Sequence, residues 1–231
     1  MRRILRDIAT VETNKKLLEA QGIYYWYDDA DVTKGTALLI GQPGTPYSGG
    51  FFFFSITFPA DYPFAPPAVQ TLTQDGRTRF NPNMYINGKV CLSILNTWHD
   101  GPAWSGVQTL ESVLLTIQSA VLNSHPLANE PAYRSMADDD PAAVVYNRML
   151  RHATAWRVVG MLASPPPFMI PFVEICWRVF EARRESWCAE LLEEAQKGDG
   201  YEESCRAFGM IVKYDFSGAR RHIAARAALP S

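Results

Sequence analysis

Ile4, Leu5, Ile8, Val11, Leu17 and Leu18 recur at helical spacing among charged residues. This spacing predicts an amphipathic opening helix, basic on its outer face at Arg2, Arg3 and Arg6 and ended by Gly22. The period then changes. Ile23 to Tyr27, Thr36 to Ile40, Phe51 to Phe58 and Val69 to Leu72 are short aromatic and aliphatic runs separated by turn residues, densest between Gly41 and Gly50. They predict about four antiparallel strands in a meander. Pro59, Pro63, Pro66 and Pro67 impose a rigid extended loop after the third strand. Helical spacing returns at Leu110, Val113, Leu114, Ile117, Ala120 and Val121, which marks a central helix stopped by a loop ending in Asn129-Glu130-Pro131. Asp140-Pro141 reads as an N-cap with proline at the first helical position, opening a helix that runs to about Leu162. Ser164-Pro165-Pro166-Pro167 breaks it, and Phe172, Ile175, Cys176, Val179, Phe180, Trp187 and Leu191 then carry a further helix to Lys197-Gly198. Two shorter helices are expected near Tyr201 to Val212 and Ser217 to Ala228. The order of helix, strands, irregular segment and helices is an α+β arrangement.

Composition narrows the function classes. A chain of 231 residues with 47% hydrophobic residues can bury one generous domain, or a domain with an appendage. A net charge of -2 argues against nucleic acid as a partner, because such binders concentrate basic residues in a stripe. Cys91, Cys176, Cys188 and Cys205 show neither paired spacing nor metal-ligand spacing with the four histidines, which points to reduced thiols, no metal, and a cytoplasmic or nuclear setting. The charged N-terminus lacks a signal-type apolar core. The apolar run from Val158 to Val173 is interrupted by four prolines and is shorter than the ~20 residues a spanning helix needs, so no membrane is expected.

Candidate chemistry centres on Asn81-Pro82-Asn83 and Cys91. Asn87-Gly88 between them favours a tight turn that folds residue 83 back towards residue 91. A thiol can carry an acyl group as a thioester, and a fixed carboxamide can donate to the oxyanion formed when a nucleophile attacks that acyl carbon. Taken alone, Cys91 also reads as a buried structural cysteine.

The surrounding motifs change that reading. Gly-x-x-x-Thr-Pro-Tyr-x-Gly-Gly-x-Phe, Phe-Pro-x-x-Tyr-Pro-x-x-Pro-Pro, Asn-Pro-Asn, Asn-Gly-Lys-Val-Cys-Leu-Ser-Ile-Leu and Trp-Ser occur in this order. As an ordered set they resemble the ubiquitin-conjugating enzymes over most of residues 1 to 163, and more weakly beyond. Arg79-Phe80-Asn81-Pro82-Asn83, the paired Trp98 and Trp104 around Gly-Pro-Ala, and Asn129-Glu130-Pro131 look most like the Z type of that family. The resemblance implies a UBC core at 1–163 and a C-terminal helical extension at 164–231 packed on it. It also implies a monomeric transferase that needs no cofactor of its own, since ATP is used by the activating enzyme.

By resemblance, Cys91 accepts ubiquitin or a ubiquitin-like modifier from an activating enzyme and passes it to a substrate lysine or to a ligase of RING or HECT type. Asn83 would stabilise the oxyanion or shape the loop. Glu130 would orient the incoming lysine, with a solvated loop acid as the alternative. Tyr85 would wall the cleft or simply pack. Arg2, Arg3 and Arg6 would meet the activating enzyme, while Phe64, Trp104, Ser105 and Gly106 would meet the ligase. Three spellings depart from the family: Asn81 stands for the usual His, Ser93 for a frequent acid, and Gly106 for the Pro of Trp-Ser-Pro. Gly106 leaves the ligase loop less rigid, and His99-Asp100 lengthens the segment between the tryptophans. Two other readings explain less: a cysteine hydrolase using His99 or His125, and an inactive ubiquitin-binding variant, which would normally lack the acceptor cysteine.

Overall fold

The computed structural model describes residues 1–226. Helix α1 (Arg2–Thr13) buries Ile4, Ile8 and Val11, and the chain turns at Asn14 into a short α2 (Lys15–Ala20), so the expected single helix is two. Strands β1 (Ile23–Asp28), β2 (Asp31–Ile40), β3 (Phe51–Thr57) and β4 (Ala68–Thr71) form the expected antiparallel meander in the order β1-β2-β3-β4.

Phe51, Phe52, Phe53 and Phe54 are all buried, which a sheet with one wet face would not allow. Alternation sends Phe52 and Phe53 to opposite faces. Phe52 meets Tyr47 and Phe80, whereas Phe53 meets Phe168 and Phe172, at 5.1 and 5.7 Å between ring centroids. The segment after the prolines therefore covers the second face of the sheet.

Helix α3 (Leu110–Thr116) begins with a reciprocal cap between Thr109 and Ser112 and widens into a π turn at Ile117–Val121. Helix α4 (Pro141–Ala163) starts as expected, with the Asp140 side chain accepting from the Ala142 N–H and Pro141 in the first turn. A tight turn at Pro167–Phe172 leads into α5 (Val173–Gly198), at 93° to α4. No single helix among the described residues is long and apolar enough to cross a membrane.

The expected helix at 201–212 is instead a hairpin, β5 (Glu202–Cys205) with β6 (Met210–Lys213). Gly209 takes a positive φ of 63° to close its turn, and the β-branched Ile211 and Val212 pair with Ser204 and Glu203. Helix α6 (Phe216–Ala224) follows, capped by Asp215, whose side chain accepts from the Gly218 N–H. The expected continuation of that helix to Ala228 lies outside the described residues.

Candidate active site

Residues 83 to 91 form the turn that Asn87-Gly88 predicts. The Gly88 N–H donates to the Tyr85 carbonyl at 2.9 Å, and Gly88 sits at φ 94°, where a Cβ would strike the Gln74 side chain. The return brings Cys91 onto Asn83: the Cys91 N–H donates to the Asn83 carbonyl at 2.8 Å, and Asn83 Nδ2 donates to the Cys91 carbonyl at 2.6 Å. The amide thus grips the backbone of the cysteine rather than facing its sulfur. An amide NH2 has two donors. One holds Cys91, and no hydrogen bond to a described residue uses the other.

Asn81, in the place of the family's His, is fully buried and is the hub of the site. Its Nδ2 donates to the Tyr47 hydroxyl at 3.0 Å and the Val121 carbonyl at 2.8 Å, while its Oδ1 accepts from the Asn83 N–H at 2.8 Å and from Asn129 Nδ2 at 3.2 Å. Val121 ends the π turn, where helical carbonyls have no partner of their own. Asn123 and Asn129 both donate to the neighbouring Ala120 carbonyl at 2.8 Å. Three asparagines thus cap one helix end, and the active-site loop hangs from the cap. Sequence reasoning did not assign Asn129 or Tyr47 to the site, because their partners lie 34 to 48 residues away.

Glu130 follows the anchored Asn129 and is half-buried. Tyr85 is half-buried under Arg79, whose guanidinium carbon lies 3.5 Å from the ring centroid. Beyond Cys91, Thr97 Oγ1 accepts from the Leu92 N–H and donates to the Val90 carbonyl. Asn96, at a positive φ of 54°, accepts from the Trp104 N–H at 2.9 Å and closes the long loop between the tryptophans. Arg134 pairs with Asp100 across that loop and holds the Asp100 carboxyl below its usual range.

The residues expected to meet partners differ in exposure. Phe64 is 88% exposed in its proline loop, and Ser105 and Gly106 are exposed beside it. Trp104 is buried instead: its indole N–H donates to the Pro63 carbonyl at 2.8 Å, so it supports the loops rather than presenting a face. Val107, the apolar residue after Trp-Ser-Gly, is 85% exposed. Arg2 and Arg6 are exposed. Arg3 is committed inward, donating to the Gly106 carbonyl at 2.8 Å and the Gln108 carbonyl at 2.5 Å while pairing with buried Asp7. Arg3 thus braces the loop that Gly106 leaves without a proline.

Among the four thiols, burial alone does not single out Cys91, since Cys176 and Cys205 are equally buried. Cys176, Cys188 and Cys205 lie on α5 and β5, and burial pushes the thiol of each up, away from the reactive thiolate. Cys91 alone sits in irregular chain with an amide on its carbonyl. No hydrogen bond joins Cys91 to a histidine: His99 stacks on Trp98, and His125 is paired with Asp138 at 2.7 Å.

Comparison with known proteins gives the family. The family model described as "Ubiquitin-conjugating enzyme" matches residues 3–152. The chain is 45% identical over 153 residues to "Ubiquitin-conjugating enzyme E2 Z" of Xenopus tropicalis, covering 66% of this chain and 47% of that protein. It is 32% identical over 231 residues to "Dual E2 ubiquitin-conjugating enzyme/E3 ubiquitin-protein ligase BIRC6" of Homo sapiens, covering 96% of this chain and 5% of that protein. A solved E2 domain of a Toxoplasma gondii ubiquitin-conjugating enzyme overlays with a TM-score of 0.48 at 26% identity, covering 66% of this chain and 94% of its own. The chain therefore spans about half the length of the E2 Z relative and a small part of the BIRC6 one. With the meander, the Asn-Pro-Asn turn and the cysteine eight residues after it inside the matched region, the chain belongs to the ubiquitin-conjugating enzyme family.

Proposed function

We propose that this chain accepts ubiquitin or a ubiquitin-like modifier as a thioester on Cys91 and transfers it to a substrate lysine or to a ligase cysteine. The observation that carries the reading is the reciprocal clamp between Asn83 and Cys91. In charging, the Cys91 thiolate attacks the thioester carbon on the activating enzyme; a new C–S bond forms and the activating enzyme's thiolate leaves. In discharge, a lysine amine attacks the same carbon, negative charge collects on the carbonyl oxygen, and the C–S bond to Cys91 breaks as the amine loses its proton. The second N–H of Asn83 is the donor for that oxyanion. Glu130 orients the amine and favours loss of its proton. A thioester is activated enough to need no permanently held strong base, consistent with the absence of a histidine on Cys91.

Arg2 and Arg6 form the outward charge of α1 for an activating enzyme, with Arg3 bracing from within. Phe64, Ser105, Gly106 and Val107 form the ligase face, held from beneath by Trp104. Residues 1–163 serve as the UBC core, and the remainder is an extension bound to it through Phe168, Phe172 and Met210.

The test is incubation with activating enzyme, ATP and ubiquitin, read on gels with and without reductant. Wild type should give a reducible adduct, and Cys91→Ser an oxyester that resists reductant but not alkali. A full-strength reducible adduct on Cys91→Ser overturns the assignment, and hydrolysis without any adduct favours the hydrolase reading.

A further inference from the structure

The C-terminal hairpin meets the active-site loop at Arg79. From Nε its guanidinium donates to the Asn81 carbonyl at 3.1 Å, and from a terminal nitrogen to the Pro82 carbonyl at 2.6 Å. Its carbon lies 3.5 Å from the centroid of Tyr85 and 5.4 Å from that of Phe208, in the β5–β6 turn. The backbone of Arg79 is held as well: its N–H points to the Met210 sulfur at 3.2 Å, and its carbonyl accepts from the Tyr146 hydroxyl at 2.7 Å. Tyr146 in turn packs on Phe208, at 5.3 Å between ring centroids.

A planar fork that grips two successive carbonyls sets two successive peptide planes, and the second of these is the Pro82–Asn83 peptide. The N–H of that peptide is already docked on Asn81 Oδ1, so the plane decides where the Asn83 side chain starts. That side chain is the one that grips the Cys91 carbonyl. The route from hairpin to thiol is thus a continuous set of contacts through Phe208, Arg79, Pro82, Asn83 and Cys91.

We propose that Arg79 is a positioning residue through which the C-terminal hairpin sets the placement of Asn83 against Cys91, and with it the rate of discharge to lysine. The inference rests on Cys91 as acceptor and Asn83 as donor, and it gives the hairpin a part in chemistry rather than only in packing. Lysine at this position keeps the charge over Tyr85 but cannot span both carbonyls, because an ammonium is a point charge rather than a fork.

The experiment uses the full chain, charged with ubiquitin by activating enzyme and ATP, freed of ATP, and discharged onto a concentration series of free lysine. Phe208→Ala, which reaches the loop through the Arg79 guanidinium and makes no contact with Cys91, should charge at the wild-type rate yet discharge about threefold to tenfold more slowly at the highest lysine, with half-maximal lysine unchanged. Arg79→Lys should lose more than Phe208→Ala, although the charge is kept. The double variant should be no slower than Arg79→Lys alone, because both act through one contact. Phe208→Ala discharging at the wild-type rate, or losses that multiply in the double variant, overturns the inference while leaving Cys91 as acceptor. A wild-type chain that forms no reducible adduct overturns both. A lowered melting temperature in Phe208→Ala without slower discharge assigns the contact to stability alone and likewise overturns the coupling.

Discussion

The sheet and the segment that follows it are built by different means. Strands β2 and β3 pair in unbroken register from Lys34 with Thr57 to Ile40 with Phe51, and the phenylalanine run of β3 is buried on both faces. Between Arg79 and Trp104 the longest regular element is the three-residue turn Ser93–Leu95. There, individual side chains give the chain its shape: Asn81, Asn83, Asn96 and Thr97 each hold backbone groups that no ladder satisfies. In the sheet a side chain contributes packing, and its loss is shared by the whole fold. In the segment it holds one or two particular backbone groups, and its loss is local.

The sharpest break of this contrast is Phe53→Ala. It would empty the space against Phe168 and Phe172 and should destabilise by about 3–5 kcal/mol, read by calorimetry or denaturant unfolding. Discharge per folded molecule should stay at the wild-type rate; a slowed folded fraction would merge the two regions. Asn83→Ala is the converse case. It should slow transfer to lysine by about 100-fold, with charging suffering less, and should cost only about 1 kcal/mol of stability. Equal loss in charging and discharge would reduce Asn83 to a clamp.

The smallest effect tests the same logic at the far end of the chain, where one side chain holds the entry to α6. His152 Nε2 accepts from the Asp215 N–H at 2.9 Å, which requires an unprotonated nitrogen. Burial lowers the His152 pKa to about 4, opposed by the Asp215 and Asp199 carboxylates and assisted by Arg148. Between about pH 6.5 and 4 the unfolded chain binds this proton and the folded one does not. Stability should therefore fall as pH drops through that window, by at most about 1.4 kcal/mol per pH unit. Melting temperatures across it should show the slope in wild type and lose most of it in His152→Gln. An unchanged slope would move the acid sensitivity elsewhere.

Much of this was legible from the residues because it depends on near neighbours. The turn at Asn87-Gly88 needs only a glycine that tolerates φ 94°, and the start of α4 needs only an acceptor at Asp140 and a proline after it. The meander follows from four apolar runs with turn residues between them. The hairpin at 202–213 was misread as helix because a four-residue strand carries too few positions to separate a period of 2 from one of 3.6.

Sequence by itself determined the meander and a cysteine folded back on an Asn-Pro-Asn, since each is written in near neighbours with their own conformational preferences, and its ordered motifs carried the resemblance to the family. Tertiary structure decided that Asn81 caps the end of a helix 40 residues on, that Trp104 is a support rather than a surface, that Arg3 braces Gly106, and that the hairpin reaches Arg79 across 131 residues. Those outcomes turn on which buried donor finds which orphan carbonyl. An asparagine or arginine can satisfy many such groups, so its identity names the need for a partner, and only the packed chain supplies the partner.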